Sequence, residues 1–479
     1  MNDPGRVLIL GAGPTGLGAA YRLHELGVPD WTLVEAAEAP GGLAGSVVDA
    51  RGFTWDLGGH VQFSHYAYYD AVLDRALGSE WLWHERQSWI WLKDRFVPYP
   101  FQNNLHRLDA DDCARALAGL EEAARARHAA PARSFAEWIR RTFGRGIAEL
   151  FLDPYNLKVW GCPLETMDAG WVGDRVAVPD VVRIRQRVAA GQDDVSWGPN
   201  QRFRFPVRGG TGRIWREVAA LIPRERARLG CRVTRVAPAA RTVALGTGER
   251  LGYDTLVSTL PLDVLVEHCE GLSPDIRRAA RSLVHNSVHV VGVGLRGGEP
   301  ETMAQKCWIY VPEPRSPYYR VTVFSNYSPF NVPEGAEYWS LMAEVCESRA
   351  NPVEAATLPE RTVAAMRADG LMGGNAEVVS LWHTRLEHGY PTPFLGRDEV
   401  LAAIVPALEQ DRIYSRGRFG GWKYEVSNQD HSFMQGVELI DRLVLGEPEV
   451  TLPDPARANS GVFLASAGRA QPPGPARTR

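Results

Sequence analysis

The sequence holds no apolar run approaching the ~18–20 residues that a membrane span requires. Its N-terminal VLIL is too short for a signal-peptide core and runs straight into glycines. A cytoplasmic chain with no membrane partner is expected. The six cysteines, at 113, 162, 231, 269, 307 and 346, make no CxxC and no paired spacing. Reduced, buried thiols are therefore expected, not a disulfide framework or a metal centre. A net charge of −4 provides no basic field of the kind nucleic-acid binders carry. No internal repeat is found.

What is present is a chain of 479 residues, 45% hydrophobic and 23% charged, long enough for two or three domains with a large core. Fifteen tryptophans and 33 prolines suit a deep cleft bounded by fixed loops. Residues 6–10, RVLIL, read as a buried parallel strand. They meet Gly11-Ala-Gly13-Pro-Thr-Gly16, and a helix follows, ending at Gly27. WTLVE (31–35) is a second strand closed by Glu35. A lone GxGxxG is weak, but here it follows a strand, opens a helix and precedes an acidic residue roughly 20 positions on. Glycines at these points let a pyrophosphate approach the helix N-terminus, and Glu35 can accept from a ribose hydroxyl.

Gly41-Gly42 and Gly58-Gly59 offer two further close backbone approaches, and GCRVTRV (230–236) resembles a returning strand that contacts adenine, with Val233 its candidate contact. Several separated segments favour the long FAD over NAD. The expected fold class is α/β, a Rossmann-like FAD-binding domain with an inserted helical domain and an antiparallel-sheet domain. Residues 1–85, 206–265 and 411–460 make up the discontinuous FAD-binding domain, and 108–195 the helical substrate domain. Residues 86–107 and 280–405 form the antiparallel sheet, and 469–479 a disordered tail.

GGHVQFSHY (58–66), FVPYPFQNN (96–104), DPYNLKVW (153–160), WVGDRVAVP (171–179) and WGPNQRFRFPVRGGTG (197–212) form one set of long irregular strings. CWIYVP (307–312), YYRVTVFSNYSP (318–329), EHGYPTP (387–393) and SRGRFGGWKYEVSNQDHSFMQGVE (415–438) complete it. Together they resemble the UDP-galactopyranose mutases of the eukaryotic type, from the first strand to about residue 440. The resemblance implies an isomerase that interconverts UDP-galactopyranose and UDP-galactofuranose. In that family reduced FAD attacks the anomeric carbon through N5 without net redox change, and NADPH is the reductant. The partner is then a nucleotide-sugar; a homo-oligomer is left open.

The same resemblance implies roles residue by residue. His60 sits at the reacting edge of the flavin, with His65 nearby, and Arg175 and Arg320 bracket the diphosphate, a task suited to the planar guanidinium fork. Tyr99, Phe101 and Gln102 hold uracil. Tyr310, Tyr327, Tyr390 and Tyr424 give hydroxyls to phosphates and sugar. Asn156, Asn200 and Asn428 make polar contacts, and Trp160 walls the sugar pocket. Arg418, Gln429 and Ser432 join the glycines as flavin contacts. Taken singly, each arginine reads as a solvated charge, each aromatic as core, and His60 as a loop residue; the matched strings reverse that reading. Gln62, Gly161-Cys162 and a short loop between Asn331 and Tyr338 depart from the pattern and leave the sugar open. The rival readings are the same ring contraction on another nucleotide-sugar, and a flavin amine oxidase, which needs no arginine pair.

Overall fold

In a computed structural model of the chain, residues 2–126, 130–173, 176, 178–195, 201–334 and 337–460 are described here. Arg175, Asn200 and the 469–479 tail lie outside them. The apolar run after Arg6 forms strand Val7–Leu10, buried at every position as a strand covered on both faces must be. It is the centre of a five-stranded sheet in the order Ile413–Ser415, Thr255–Ser258, Val7–Leu10, Trp31–Val34, Ala227–Arg228, with every pairing parallel. The glycine loop opens helix Pro14–Glu25, whose Pro14 has the φ a first helical turn needs. Chain reversal follows at Gly27, φ +70°.

Helix Gln429–Leu445 crosses that first helix backbone to backbone. A Cβ on Gly18 would lie 2.3 Å from the Phe433 carbonyl oxygen, and one on Gly436 would lie 2.1 Å from that of Thr15. Two glycines thus let the C-terminal helix press onto the nucleotide-binding helix, 400 residues away in sequence.

The second large sheet has seven strands, ordered Glu377–Pro391, His285–Arg296, Tyr338–Glu347, Arg320–Val323, Trp308–Tyr310, Ser88–Leu92, Arg95–Pro98. It is not purely antiparallel: Trp308–Tyr310 runs parallel to Ser88–Leu92, because a strand from before the helical insertion is filed beside one from after it. Strands His285–Arg296, Trp308–Tyr310, Arg320–Val323 and Tyr338–Glu347 fall within the 280–405 region expected as sheet. The 15-residue edge strand Glu377–Pro391 completes them. Helices Ala110–Arg125, Phe135–Ile147, Asp153–Trp160 and Val181–Ala190 pack against the seven-stranded sheet, sharing core clusters with Ile90, Leu92 and Val97 and with Tyr319. Asp109, Ser134 and Asp180 cap three of them by accepting from backbone N–H groups of the first turn. Val233 falls in neither large sheet. Strand Val233–Ala237 belongs to a three-stranded antiparallel sheet, and the returning edge strand of the parallel sheet is Ala227–Arg228.

Candidate active site

The glycine loop comes first. Gly11 holds φ +103°, and a Cβ on Gly16 would meet the Gly11 carbonyl oxygen at 1.8 Å, so the helix can close against the loop only with glycine there. Gly13 is the N-cap and offers no side chain, leaving first-turn N–H groups and the positive helix end for an anion. Gly41 N donates to Ala12 O at 2.9 Å. A Cβ on Gly42 (φ +53°) would stand 3.3 Å from Gly13 Cα, so two glycine turns make one wall of bare backbone. The Glu35 carboxylate accepts from Ala12 N (2.7 Å) and Ala37 N (2.8 Å), which fixes it at the strand end beside the loop. Cys231 N donates to Glu35 O at 2.7 Å and brings the 227–231 segment, just before Val233, alongside. This cradle fits a dinucleotide: two glycine turns, a helix N-terminus and a fixed carboxylate converge.

The far end of the groove is made by the C-terminal segment. Asn428 is the N-cap of helix Gln429–Leu445 without a side-chain cap bond. Gln429 Oε1 accepts from Trp215 Nε1 at 2.8 Å, and Ser432 N donates to Asn428 O at 2.8 Å. Arg418 is a staple, donating to Gly389 O (3.0 Å) and Ser427 Oγ (2.9 Å). His65 is tied here too: its Nδ1 lies 2.8 Å from Asp430 Oδ2, its backbone N–H donates to the same oxygen, and its ring stacks on His431 at 4.8 Å.

Arg320 and Glu344 are direct cross-strand partners in the seven-stranded sheet. The guanidinium donates through Nε and Nη2 to both carboxylate oxygens, the second at 2.8 Å. Tyr319 OH donates to Oε1 at 3.3 Å. Burial pushes the Glu344 pKa up, and the Arg320 charge and hydrogen bonds, joined by His60 and the Gly59 N–H, together hold the carboxylate below its ordinary range. The Gly58–His60 loop lies directly over this pair. A Cβ on Gly59 would stand 3.0 Å from Thr322 Oγ1 and 3.2 Å from Arg320 Nη2 and Trp308 Nε1, so a side chain here would crowd all three. The loop is held from behind by Asp56, fully buried, which accepts from Thr211 N (3.0 Å), Thr211 Oγ1 (2.6 Å) and Ser46 Oγ. Burial lowers the His60 pKa to about 4, Arg418 and Arg320 push it the same way, and Glu344 opposes them. The imidazole is neutral at pH 7, and its Nδ1 is buried without a hydrogen-bond partner.

Aromatic rings form the remaining wall. Tyr310 meets Tyr99 at 5.6 Å and Tyr155 at 5.3 Å. Trp160 meets Tyr424 at 4.9 Å, Trp171 at 5.1 Å and Tyr390 at 5.8 Å, and Arg418 lies 4.9 Å from the Tyr390 ring. The structure thus gathers Tyr99, Tyr310, Tyr390, Tyr424, Trp160, Arg320 and His60. Tyr327 is fully buried behind them among Phe203, Phe205 and Trp308, its hydroxyl unpartnered. Phe101 is also fully buried, stacked on Phe151 at 4.9 Å in the helical core, and presents no side-chain surface. Gln102, next to it, is 6% exposed. Asn156 turns its amide back onto Leu152 O at 2.8 Å. Arg175 and Asn200 lie outside the described residues.

Sequence reasoning missed Glu344, Tyr155, Trp171 and Trp308. A lone carboxylate inside the apolar run WSLMAEV was the available signal for Glu344, since buried acids are nearly always paired. The departures have structural causes. Gln62 is 2% exposed and accepts from Tyr69 OH at 2.6 Å. Gly161 closes its helix at φ +64°, where a Cβ would lie 2.8 Å from Cys346 Sγ.

Fold and site together define a flavoprotein: a parallel-sheet dinucleotide cradle facing an aromatic, arginine-bearing cleft. The family described as "Flavin containing amine oxidoreductase" matches residues 14–406. A reduced UDP-galactopyranose mutase of known crystal structure is 47% identical, covers 95% of this chain and 97% of its own, and superposes with a TM-score of 0.93. A putative protoporphyrinogen oxidase from Exiguobacterium sp. 255-15 (17% identity, 92% and 99% coverage, TM-score 0.66) shares the fold. So does a putrescine oxidase bound to putrescine (16%, 92% and 99%, 0.62). The chain belongs to the flavin-containing amine oxidoreductase family and, within it, to the UDP-galactopyranose mutases.

Proposed function

We propose that this chain interconverts UDP-galactopyranose and UDP-galactofuranose with bound, reduced FAD. The observation that carries the reading is Arg320, a permanent cation locked on Glu344 at the base of the tyrosine-lined cleft. A guanidinium stays protonated near neutral pH and offers only N–H donors, which suit phosphate oxygens and have nothing to give the protonated amine that an amine oxidase must admit. The eukaryotic-type assignment rests on the long strings from residue 58 to 438.

Gly11, Gly13, Gly16, Glu35, Gly42, Gly58, Gly59, Val233, Arg418, Gln429 and Ser432 would hold FAD. The reduced cofactor supplies the electron pair that displaces UDP from the sugar. Arg320, with Arg175 in the same role, stabilises the charge developing on the departing diphosphate. The strand register and Glu344 hold the Arg320 fork in place before substrate arrives, so little reorganisation accompanies the reaction. Tyr310, Tyr390 and Tyr424 donate hydroxyls toward phosphate and sugar, with Tyr327 backing them from the core, and Asn200 and Asn428 add amide contacts, while the Asn156 amide stays on Leu152 O. Tyr99 and Gln102 take the base, with Phe101 supporting them from the core. Trp160 walls the sugar and helps exclude water. His60, neutral, accepts or returns a proton at its ring nitrogen while Glu344 offsets any charge it gains. NADPH is the assigned reductant, and the six unpaired cysteines suit the cytoplasm.

Titrating the FAD-loaded protein with UDP tests the charge argument. UDP should bind, Arg320→Met should weaken it by about 10-fold or more, and putrescine should not bind. Binding of putrescine with indifference to UDP would assign the cleft to amines.

A further inference from the structure

We propose that Lys158 is a positioning residue: its ammonium pins the loop between strands Trp308–Tyr310 and Arg320–Val323 to helix Asp153–Trp160, and so sets Tyr310 and Arg320 against the rings that the helix carries. The inference rests on the nucleotide-sugar reading of the cleft, which gives that alignment its purpose. Lys158 Nζ donates to Val311 O at 2.8 Å and to Glu313 O and Ser316 O at 2.9 Å each. An ammonium has three donors and no acceptor, so all three are spent on main-chain carbonyls of one loop. The two strands form a hairpin in which Tyr310 and Arg320 are the last cross-strand pair, closed by Val311 N donating to Tyr319 O at 2.9 Å. The pinned loop is therefore the turn that joins Tyr310 to Arg320.

The helix grips the hairpin with one face. Tyr155 and Lys158 stand three residues apart and so share that face; the Tyr155 ring meets Tyr310 at 5.3 Å, one residue before the first pinned carbonyl. Leu157 is 47% exposed while Lys158 turns inward, the reverse of the order that burial alone would select. Trp160, two residues on, meets Tyr390 and Tyr424. One ammonium thus fixes the spacing between two walls of the cleft. Asp369 ties the loop as well, accepting from Ser316 Oγ and Tyr318 OH at 2.6 Å each and pairing with Arg315 at 3.3 Å. The Tyr318 ring lies 6.0 Å from Nζ. The charges that face Lys158 are the Asp369 and Glu313 carboxylates; burial outweighs both and pushes its pKa down to about 7. Below that pH three donors meet three acceptors. Above it the neutral amine keeps two donors and no charge.

The test uses the full-length, FAD-loaded protein, wild type and Lys158→Met, titrated with UDP at pH 6 and pH 9, with the flavin absorption band reporting folding. Met keeps the stem and deletes the donors, so at pH 6 it should weaken UDP by about 10-fold, the worth of a lost charged hydrogen-bond donor. The gap should close by pH 9, because only the wild type has a proton to lose. Hydrogen exchange, read as protection factors, follows the loop without the nucleotide: amides of 311–319 should lose protection in Lys158→Met at pH 6, and in the wild type only at pH 9. Equal UDP affinity at pH 6, or a gap of the same size at both pH values, would overturn the proposal. Should Lys158→Met fail to fold, the wild-type protection factors decide, and loop protection unchanged from pH 6 to pH 9 would overturn it. A wild type that binds no UDP yet shows the protection changes would leave the clamp standing and remove the substrate reading instead.

Discussion

Glu344→Gln keeps the volume of the side chain and removes only its charge, so its effect isolates the buried pair. The carboxylate is 2% exposed and both its oxygens are taken by Arg320, whose side chain retains 18% exposure. Deleting one partner of such a pair leaves the other charge desolvated and costs about 3–5 kcal/mol; the residual exposure of Arg320 places the expected loss near ~3 kcal/mol. Arg320→Met strands Glu344 instead and should cost a similar amount. The double variant removes both charges, so its loss should fall well short of the sum of the single losses. Denaturant unfolding of the FAD-loaded proteins across this cycle, followed by tryptophan fluorescence, measures all three. A loss below about 0.5 kcal/mol for Glu344→Gln, or additive losses, would refute the claim that the pair is what holds the fork.

Arg320→Ala should retain the yellow flavin band and lose turnover by about 10²–10³-fold, as removal of one preorganised charge donor does; near-normal rates would remove Arg320 from the diphosphate. The His60 pKa is lowered to about 4, so the native state refuses a proton that the unfolded chain accepts below pH ~6.5. Stability from this source is complete above that pH and is lost as pH falls toward 4. The thermal midpoint of wild type should thus drop more steeply from pH 6.5 to 4 than that of His60→Asn, and parallel profiles would contradict it. Gly16→Ala should purify without flavin, because its methyl would overlap the Gly11 carbonyl; stoichiometric FAD in that variant would show that the loop can yield.

The nucleotide-binding half was legible because its signals are local: a buried strand, glycines at fixed offsets, and Glu35 at the end of the next strand. Seven strands of mixed direction were harder. Edge strand Glu377–Pro391 buries few side chains and so lacks a clean alternation. The Arg320–Glu344 pair depends on the register of two strands, which the sequence does not state. Phe101 illustrates a different limit. It sits in the string that resembles a base-binding segment, yet its ring lies in the helical core, and an apolar residue carries no mark of which side of a wall it faces. Gln62 and Gly161 looked like changes in specificity and prove to be a buried hydrogen bond and a helix terminus.

The most direct measurement is of product. The purified yellow protein is reduced with dithionite without oxygen, given UDP-galactofuranose, and sampled by chromatography. The account predicts rapid formation of UDP-galactopyranose by the reduced protein and none by the oxidised one. A fully reduced, FAD-loaded protein that leaves UDP-galactofuranose unchanged would contradict it, and conversion of a different nucleotide-sugar under the same conditions would keep the chemistry while replacing the substrate.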